Sequence, residues 1–188
     1  MRRLSLDDVD PDEIDRDSTR RRLTEPLGAT DAAISHYRVA PGDGLPSGLH
    51  AHADQEEVFV VLAGRATFET LDGEVTVREG EAVRFAPGEF QSGRNAAADE
   101  LAVLAIGAPR ETDDVRVPLS CPDCGHDDLR IDDDDGGVAL VCPACDVAHD
   151  PPACPDCGRE GLRVTLGEAD RVAVVCPDCG AEVQRPFA

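Results

Sequence analysis

Residues 44–64 read Gly44-Leu45-Pro46-Ser47-Gly48-Leu49-His50-Ala51-His52-Ala53-Asp54-Gln55-Glu56-Glu57-Val58-Phe59-Val60-Val61-Leu62-Ala63-Gly64. Five residues separate Gly44 from His50, four separate His52 from Glu57, and six separate Glu57 from Gly64. Two histidines one residue apart on an extended strand project to the same face, because strand side chains alternate with a period of two. With a carboxylate five residues further on, they make a facial donor set for a divalent ion. Of the adjacent acids Glu56 and Glu57, only Glu57 keeps the six-residue distance to Gly64. If its strand holds one register, Phe59 and Val61 share its inward face and surround the ion with apolar walls.

This spacing resembles the first sequence motif of the cupins, small β-barrels that hold a metal in the barrel mouth. The second cupin motif comprises a glycine, a Pro-Gly turn, a ligand histidine and an asparagine four residues later. Gly80, Pro87-Gly88 and Asn95 match it, but the ligand position holds Gln91. The resemblance covers Ile34 to Gly107. It implies a metal held by His50, His52 and Glu57, with Gln91 as a neutral oxygen donor weaker than imidazole. The ion is then a first-row divalent metal (Fe, Mn, Ni or Zn), with positions open for a small-molecule ligand. A homodimer through the cupin domain is a further expectation. The competing reading is a barrel that binds a small molecule without metal, His50 and His52 being polar lining. No second acid–base pair and no nucleophile dyad is visible, so catalytic residues stay unassigned. His36 reads as a surface or core residue, and Tyr37 and Arg84 as candidates for the pocket wall.

The surrounding pattern is that of short strands. Apolar runs at 34–39, 58–62, 66–71, 74–78, 82–85 and 101–106 are separated by Pro41-Gly42, Gly64, Asp72-Gly73, Pro87-Gly88 and Pro109. Asp72-Gly73 is the preferred two-residue hairpin turn. Regular short strands with almost no helical period predict an all-β sandwich or barrel, and the resemblance implies a single cupin β-barrel, or double-stranded β-helix. A barrel also removes the edges that such apolar strands would expose. Residues 1–30 are acidic and arginine-rich, including Arg20-Arg21-Arg22, and read as a loosely docked arm with a short helix. The barrel is expected over 31–110 and a charged linker over 111–119.

Beyond the linker the composition changes. All eight cysteines lie between Cys121 and Cys179, as the pairs Cys121/Cys124, Cys142/Cys145, Cys154/Cys157 and Cys176/Cys179. The segment repeats: Cys-Pro-Asp-Cys-Gly, Leu-Arg-Ile or Leu-Arg-Val, an apolar run, then a second pair. Seventeen residues separate the pairs in the first unit and eighteen in the second, a four-cysteine zinc spacing. Each unit, 120–150 and 151–188, resembles a zinc ribbon, a β-hairpin module. A unit this small cannot bury enough apolar surface to fold alone, and a bound Zn²⁺ supplies about 10 kcal/mol or more. Two structural Zn²⁺ sites are therefore expected, paired in sequence order, as the repeat favours, rather than nested. Iron of the rubredoxin type would use a longer loop, and thioredoxin-like chemistry would need a helix after one pair. His126 and His149 read as bystanders.

The chain has 188 residues and a formal charge of −21, and its 18 basic residues are all arginine. That composition resembles proteins of salt-loving archaea. At about 1 M salt the Debye length is about 3 Å, so net charge argues only weakly against nucleic acid. The ribbons themselves argue more strongly, because between Cys121 and Cys179 four arginines face many acids and no aromatic is available for stacking. No apolar run is long enough to span a membrane, and Arg2-Arg3 lacks the apolar core of an export signal. A cytoplasmic protein is expected, whose thiols serve metal rather than disulfides. Two functions follow. One is a sensor or adaptor whose barrel takes metal and ligand while the ribbons contact a protein partner. The other is a metal-dependent oxygenase or isomerase acting through His50, His52 and Glu57. A plainer role for the ribbons is to stabilise an oligomer of barrels.

Overall fold

The structure is a computed structural model that describes all residues except 16, 135–136, 168–170, 184–186 and 188. In chain order it contains β1 (Asp12–Asp15), β2 (Ser18–Arg22), the short helix α1 (Thr24–Leu27), β3 (Ala33–Val39) and β4 (Ala51–His52). There follow β5 (Glu56–Ala63), β6 (Arg65–Thr70), β7 (Gly73–Arg78), β8 (Ala82–Phe85), β9 (Ser92–Arg94) and β10 (Leu101–Ala108). The last elements are β11 (Val115–Val117), β12 (Leu129–Asp134), β13 (Gly137–Val141), β14 (Ala148–His149), β15 (Arg163–Leu166) and β16 (Val172–Val175). Among the described residues no helix is long and apolar enough to cross a membrane.

The barrel is made of a six-stranded sheet, β1-β2-β3-β10-β5-β8, and a three-stranded sheet, β7-β6-β9. Alternate residues of both point into one core: Val39, Phe59, Val61, Ala66, Phe68, Val77, Phe85, Leu101 and Val103 are all buried. Phe59, Phe68 and Phe85 form a ring cluster with centroids 4.9–6.1 Å apart, within the range of favourable aromatic packing. Gly64 carries the chain from β5 to β6 at φ +79, where a Cβ would stand 2.7 Å from the Glu100 carbonyl oxygen. Only glycine fits there.

Two expectations about the backbone need correction. Residues 1–30 are not a loosely docked arm, because β2 pairs with β3 along Thr19–Arg22 and so widens the barrel sheet. Ser18 fixes that edge: its hydroxyl donates to Asp43 Oδ2 (2.6 Å) and accepts from the Ala40 N–H (2.9 Å). The β6–β7 hairpin turns on Leu71-Asp72, one residue earlier than expected, since Thr70 pairs with Gly73. The Thr70 hydroxyl accepts from the Asp72 N–H and donates to the Gly73 carbonyl, holding that register.

The expected linker is also structured. Its strand β11 lies between β4 and β12 in a five-stranded sheet, β14-β13-β12-β11-β4. Val115 pairs with His52 and Arg116 with Ala51, while Arg116 and Val117 pair with Arg130 and Leu129. The strand bearing the histidines is thus an edge of the first cysteine unit's sheet. The second unit, hairpin β15–β16, reaches the same strand, since the Leu49 N–H donates to the Val164 carbonyl at 2.8 Å. Gly48 makes that approach possible, because a Cβ there would lie 2.5 Å from the Val164 carbonyl oxygen. Leu49, from the barrel stretch, is fully buried in a second core with Val117, Leu129, Leu140, Val164, Val174 and Val183.

Candidate metal centre

His50, His52 and Glu57 come together at the barrel mouth, their donor atoms all within 4.8 Å of one another. The extended stretch of His50 and β4, which carries both histidines, is held on both edges. On the barrel side His50 and Gln91 exchange backbone hydrogen bonds (3.1 and 2.8 Å), and the Gly88 N–H donates to the His52 carbonyl. On the other side lie Val164, β11 and the Asp114 carbonyl, which accepts from the Ala53 N–H at 2.7 Å. Glu57 enters from β5, and Phe59 and Val61 are buried further along that strand.

Hydrogen bonds fix both imidazole tautomers. His50 Nδ1 lies 2.9 Å from the Gly48 carbonyl oxygen. A carbonyl can only accept, so Nδ1 carries the proton and Nε2 keeps its lone pair. His52 Nδ1 lies 3.2 Å from Thr112 Oγ1, and that hydroxyl donates to Asp54 Oδ1 at 2.6 Å. Thr112 therefore accepts from His52, leaving His52 Nε2 free as well. Burial holds His52 below the usual imidazole range, with Glu57 opposing and His50 adding to the shift. His52 is thus poised as a neutral donor, and His50 presents Nε2 on the same side. His52 Nε2 and Glu57 Oε2 are 3.6 Å apart, close to the separation of about 3.0–3.4 Å set by two bonds of about 2.0–2.2 Å to one ion. The donor set fits a divalent metal.

Gln91 is buried beside this set, and its Nε2 donates to Glu57 Oε2 at 2.9 Å. Tyr37 lines the cavity in front of the histidines, which has a volume of about 250 Å³. Arg84 does not. It pairs with Glu56 on the outer surface. His36 is buried on β3, and burial, with help from Arg21 and Arg38, lowers its pKa. Three contributors escaped the sequence reading: Arg20 and Val115 on the cavity wall, and Thr112 behind His52. The only signal for them was Arg20's place in a basic triplet. Thr112→Val is expected to weaken retention of the barrel metal about tenfold, since outer partners of metal-bound histidines carry effects of about 10–100-fold. Competition with a metal-sensitive dye measures it, and unchanged affinity would remove Thr112 from the site.

The eight cysteines form two groups, Cys121/Cys124/Cys142/Cys145 and Cys154/Cys157/Cys176/Cys179, in sequence order. Sulfurs lie 3.8 Å (Cys121–Cys145) and 3.5 Å (Cys124–Cys142) apart in the first, and 3.6 Å across both measured pairs of the second. Four sulfurs tetrahedrally placed about 2.3 Å from a zinc ion have edges of about 3.8 Å. The groups therefore fit Zn²⁺. Each pair sits on a turn in which the N–H four residues on donates to the first cysteine's carbonyl. Gly125, Gly158 and Gly180 occupy that position with positive φ, and Asp146 takes it in the remaining turn. The turn N–H groups favour thiolate. The N–H of Cys157 outweighs burial and brings Cys154 down to about 7. Despite the Ala181 N–H, neighbouring Cys157 and its companions push Cys179 up to about 12. Four such sulfurs hold their full charge together only around a cation. His149 is closer than a bystander, with Nε2 3.7 Å from Cys121 Sγ and 3.5 Å from Asp123. His126 instead lies 3.6 Å from Asp128.

Residues 35–107 match the model of the cupin-domain family Cupin_2. No curated protein matches the chain. Among solved structures, a sugar phosphate isomerase from a cupin superfamily of Silicibacter pomeroyi aligns with TM-score 0.59 at 19% identity, over 76% of this chain and 94% of its own. The polyketide cyclase RemF of Streptomyces resistomycificus aligns with TM-score 0.53 at 27% identity, over 65% of this chain and 89% of its own. A protein of Klebsiella pneumoniae with a double-stranded β-helix domain aligns with TM-score 0.50 at 18% identity, over 60% and 88%. The barrel has the cupin fold, a double-stranded β-helix, and is followed by two small four-cysteine modules.

Proposed function

We propose that this cupin barrel holds a first-row divalent metal on His50, His52 and Glu57 and receives a small molecule beside it. Gln91 steadies Glu57 through its amide N–H. The two ribbons carry structural zinc and pass the state of the barrel site to a protein partner, which makes the chain a sensor or adaptor. One observation carries this reading. The histidine strand has the barrel on one edge and both cysteine units, through Val164 and β11, on the other. Any shift of β4 on ligand binding must move those contacts, because packed elements transmit displacement rather than absorb it. Nucleic acid is the weaker partner class, given the acidic surface of the ribbons.

A second reading, a metal-dependent enzyme, rests on the open coordination positions of a three-residue donor set. The likeness at 27% identity to a protein described as a polyketide cyclase also favours it.

Metal content and amide exchange of the full chain test the proposal together. Two zinc ions and one further metal per chain are expected, with slower exchange at Leu49 and 115–117 when the barrel metal is present. Two zinc ions alone would reduce the barrel to a metal-free binder. Unchanged exchange at those amides would remove the relay.

A further inference from the structure

The cavity beside His50, His52 and Glu57 is less acidic than the rest of the molecule, because a basic side chain stands on its wall. In a chain of formal charge −21, the charged side chains on its wall, among the described residues, are Glu57 and Arg20. Arg20 comes from β2, the strand that the N-terminal segment adds to the barrel, and stands in register with Tyr37 on β3. Its Nη2 donates to Asp12 Oδ2 at 3.2 Å, but Asp12 is shared, since Arg22 Nε donates to the same oxygen at 2.9 Å. Two guanidinium groups thus share one carboxylate, so Asp12 neutralises Arg20 only in part. Arg20 Nε is buried and has no hydrogen-bond partner. A buried donor left unpaired is costly, and Asp12 leaves the guanidinium incompletely satisfied. A bound dication would make the site positive, because Glu57 offsets only part of its charge and Asp12 only part of that of Arg20. The remaining wall is largely apolar, with Leu45, Phe59 and Val115 beside Tyr37.

We propose that the cavity takes a small organic carboxylate, its charged end between the metal position and Arg20 and its carbon chain against Tyr37, Phe59 and Val115. This rests on the metal reading above and adds the class of ligand. A free phosphate would satisfy the charge but leave the apolar wall uncovered. A neutral amide of the same shape would cover the wall but leave Arg20 unpaired.

The test uses the full chain with zinc retained and Mn(II) supplied to the barrel, a hard ion that the thiolate sites do not favour. Calorimetry with butyrate, butyramide and inorganic phosphate reads the outcome. Butyrate is expected to bind more tightly than either control. Arg20→Gln should weaken butyrate about tenfold, the usual effect of losing a charged hydrogen bond, with Mn(II) retention unchanged. Arg20→Lys should recover part of the loss, which separates a charge effect from a packing defect in β2. Equal butyrate affinity in wild type and Arg20→Gln would overturn the proposal. Phosphate binding as tightly as butyrate would do the same. Failure of the metal reading shows separately, as wild-type protein that holds no Mn(II), and it overturns both.

Discussion

The double substitution Cys121→Ser, Cys142→Ser is expected to lower zinc content from two ions per chain to one and to loosen the barrel's metal site with it. Four thiolates on Zn²⁺ contribute on the order of 10 kcal/mol to a unit of this size, far more than its small apolar hairpin can replace. Cys121 and Cys142 are themselves buried in the second core, against Leu49 and Leu129. Without the ion, β12 loses the hairpin that holds it, and β11 loses its partner on that side. β11, which borders β4, is then held on one edge only. Barrel metal affinity should fall by about tenfold or more, the scale seen when supporting contacts of a metal ligand are lost. Mass spectrometry of metals on purified protein, with thermal melting followed by circular dichroism, reads both effects. Full barrel loading at one zinc per chain would show that the two sites are independent.

The second large effect is the reverse operation. His50→Ala, His52→Ala should abolish the barrel metal while leaving zinc at two ions per chain. Two of three protein donors disappear, so affinity should drop by more than about a hundredfold, beyond what outer partners alone contribute. The fold should survive, because the barrel core of Val39, Phe59, Phe68 and Leu101 does not include either ring. In the wild-type protein this metal should persist somewhat below pH 6.5. Burial lowers the pKa of His52, so its neutral form lasts to lower pH, and retention is lost only as the pH falls through that lowered value. A preparation in which the substituted protein keeps a third metal would place that ion elsewhere. Turnover surviving in it would separate any catalysis from these histidines.

The parts of this architecture visible in the sequence were those written in apolar alternation or in ligand spacing. Strands β3, β5, β6, β7, β8 and β10 show as apolar runs bounded by glycine and proline, and the donor triad shows as a spacing. Strands β1 and β2 carry no such signal, since Asp12–Asp15 and Ser18–Arg22 are dominated by acids and arginines. They form because β3 offers a free edge and Ser18 ties the pair to Asp43, interactions of the backbone that side-chain pattern does not record. The same holds for β11, three residues in a charged segment that become a strand only because β4 and β12 flank them. The roles of Thr112, Arg20 and His149 were not legible for a related reason: each acts on a residue distant in sequence. The division into a barrel and two ribbons also hid a shared core, because Leu49 belongs by sequence to one part and by packing to the other.

Leu49 has a consequence for how the chain is made. It is fully buried, yet the side chains that bury it span Val117 to Val183. During synthesis from the N-terminus, the barrel strands through β10 are complete while this leucine and the adjoining edge of β4 still face water. Their cover is complete only when the last cysteine pair has emerged and both hairpins have closed. The histidine strand is among the early segments to be translated and among the last to be secured. A nascent chain halted after residue 110 would carry a closed barrel with an apolar, unpaired strand edge beside its metal ligands, the kind of edge on which growing chains associate wrongly. Zinc supply during translation would then set how long that edge stays open.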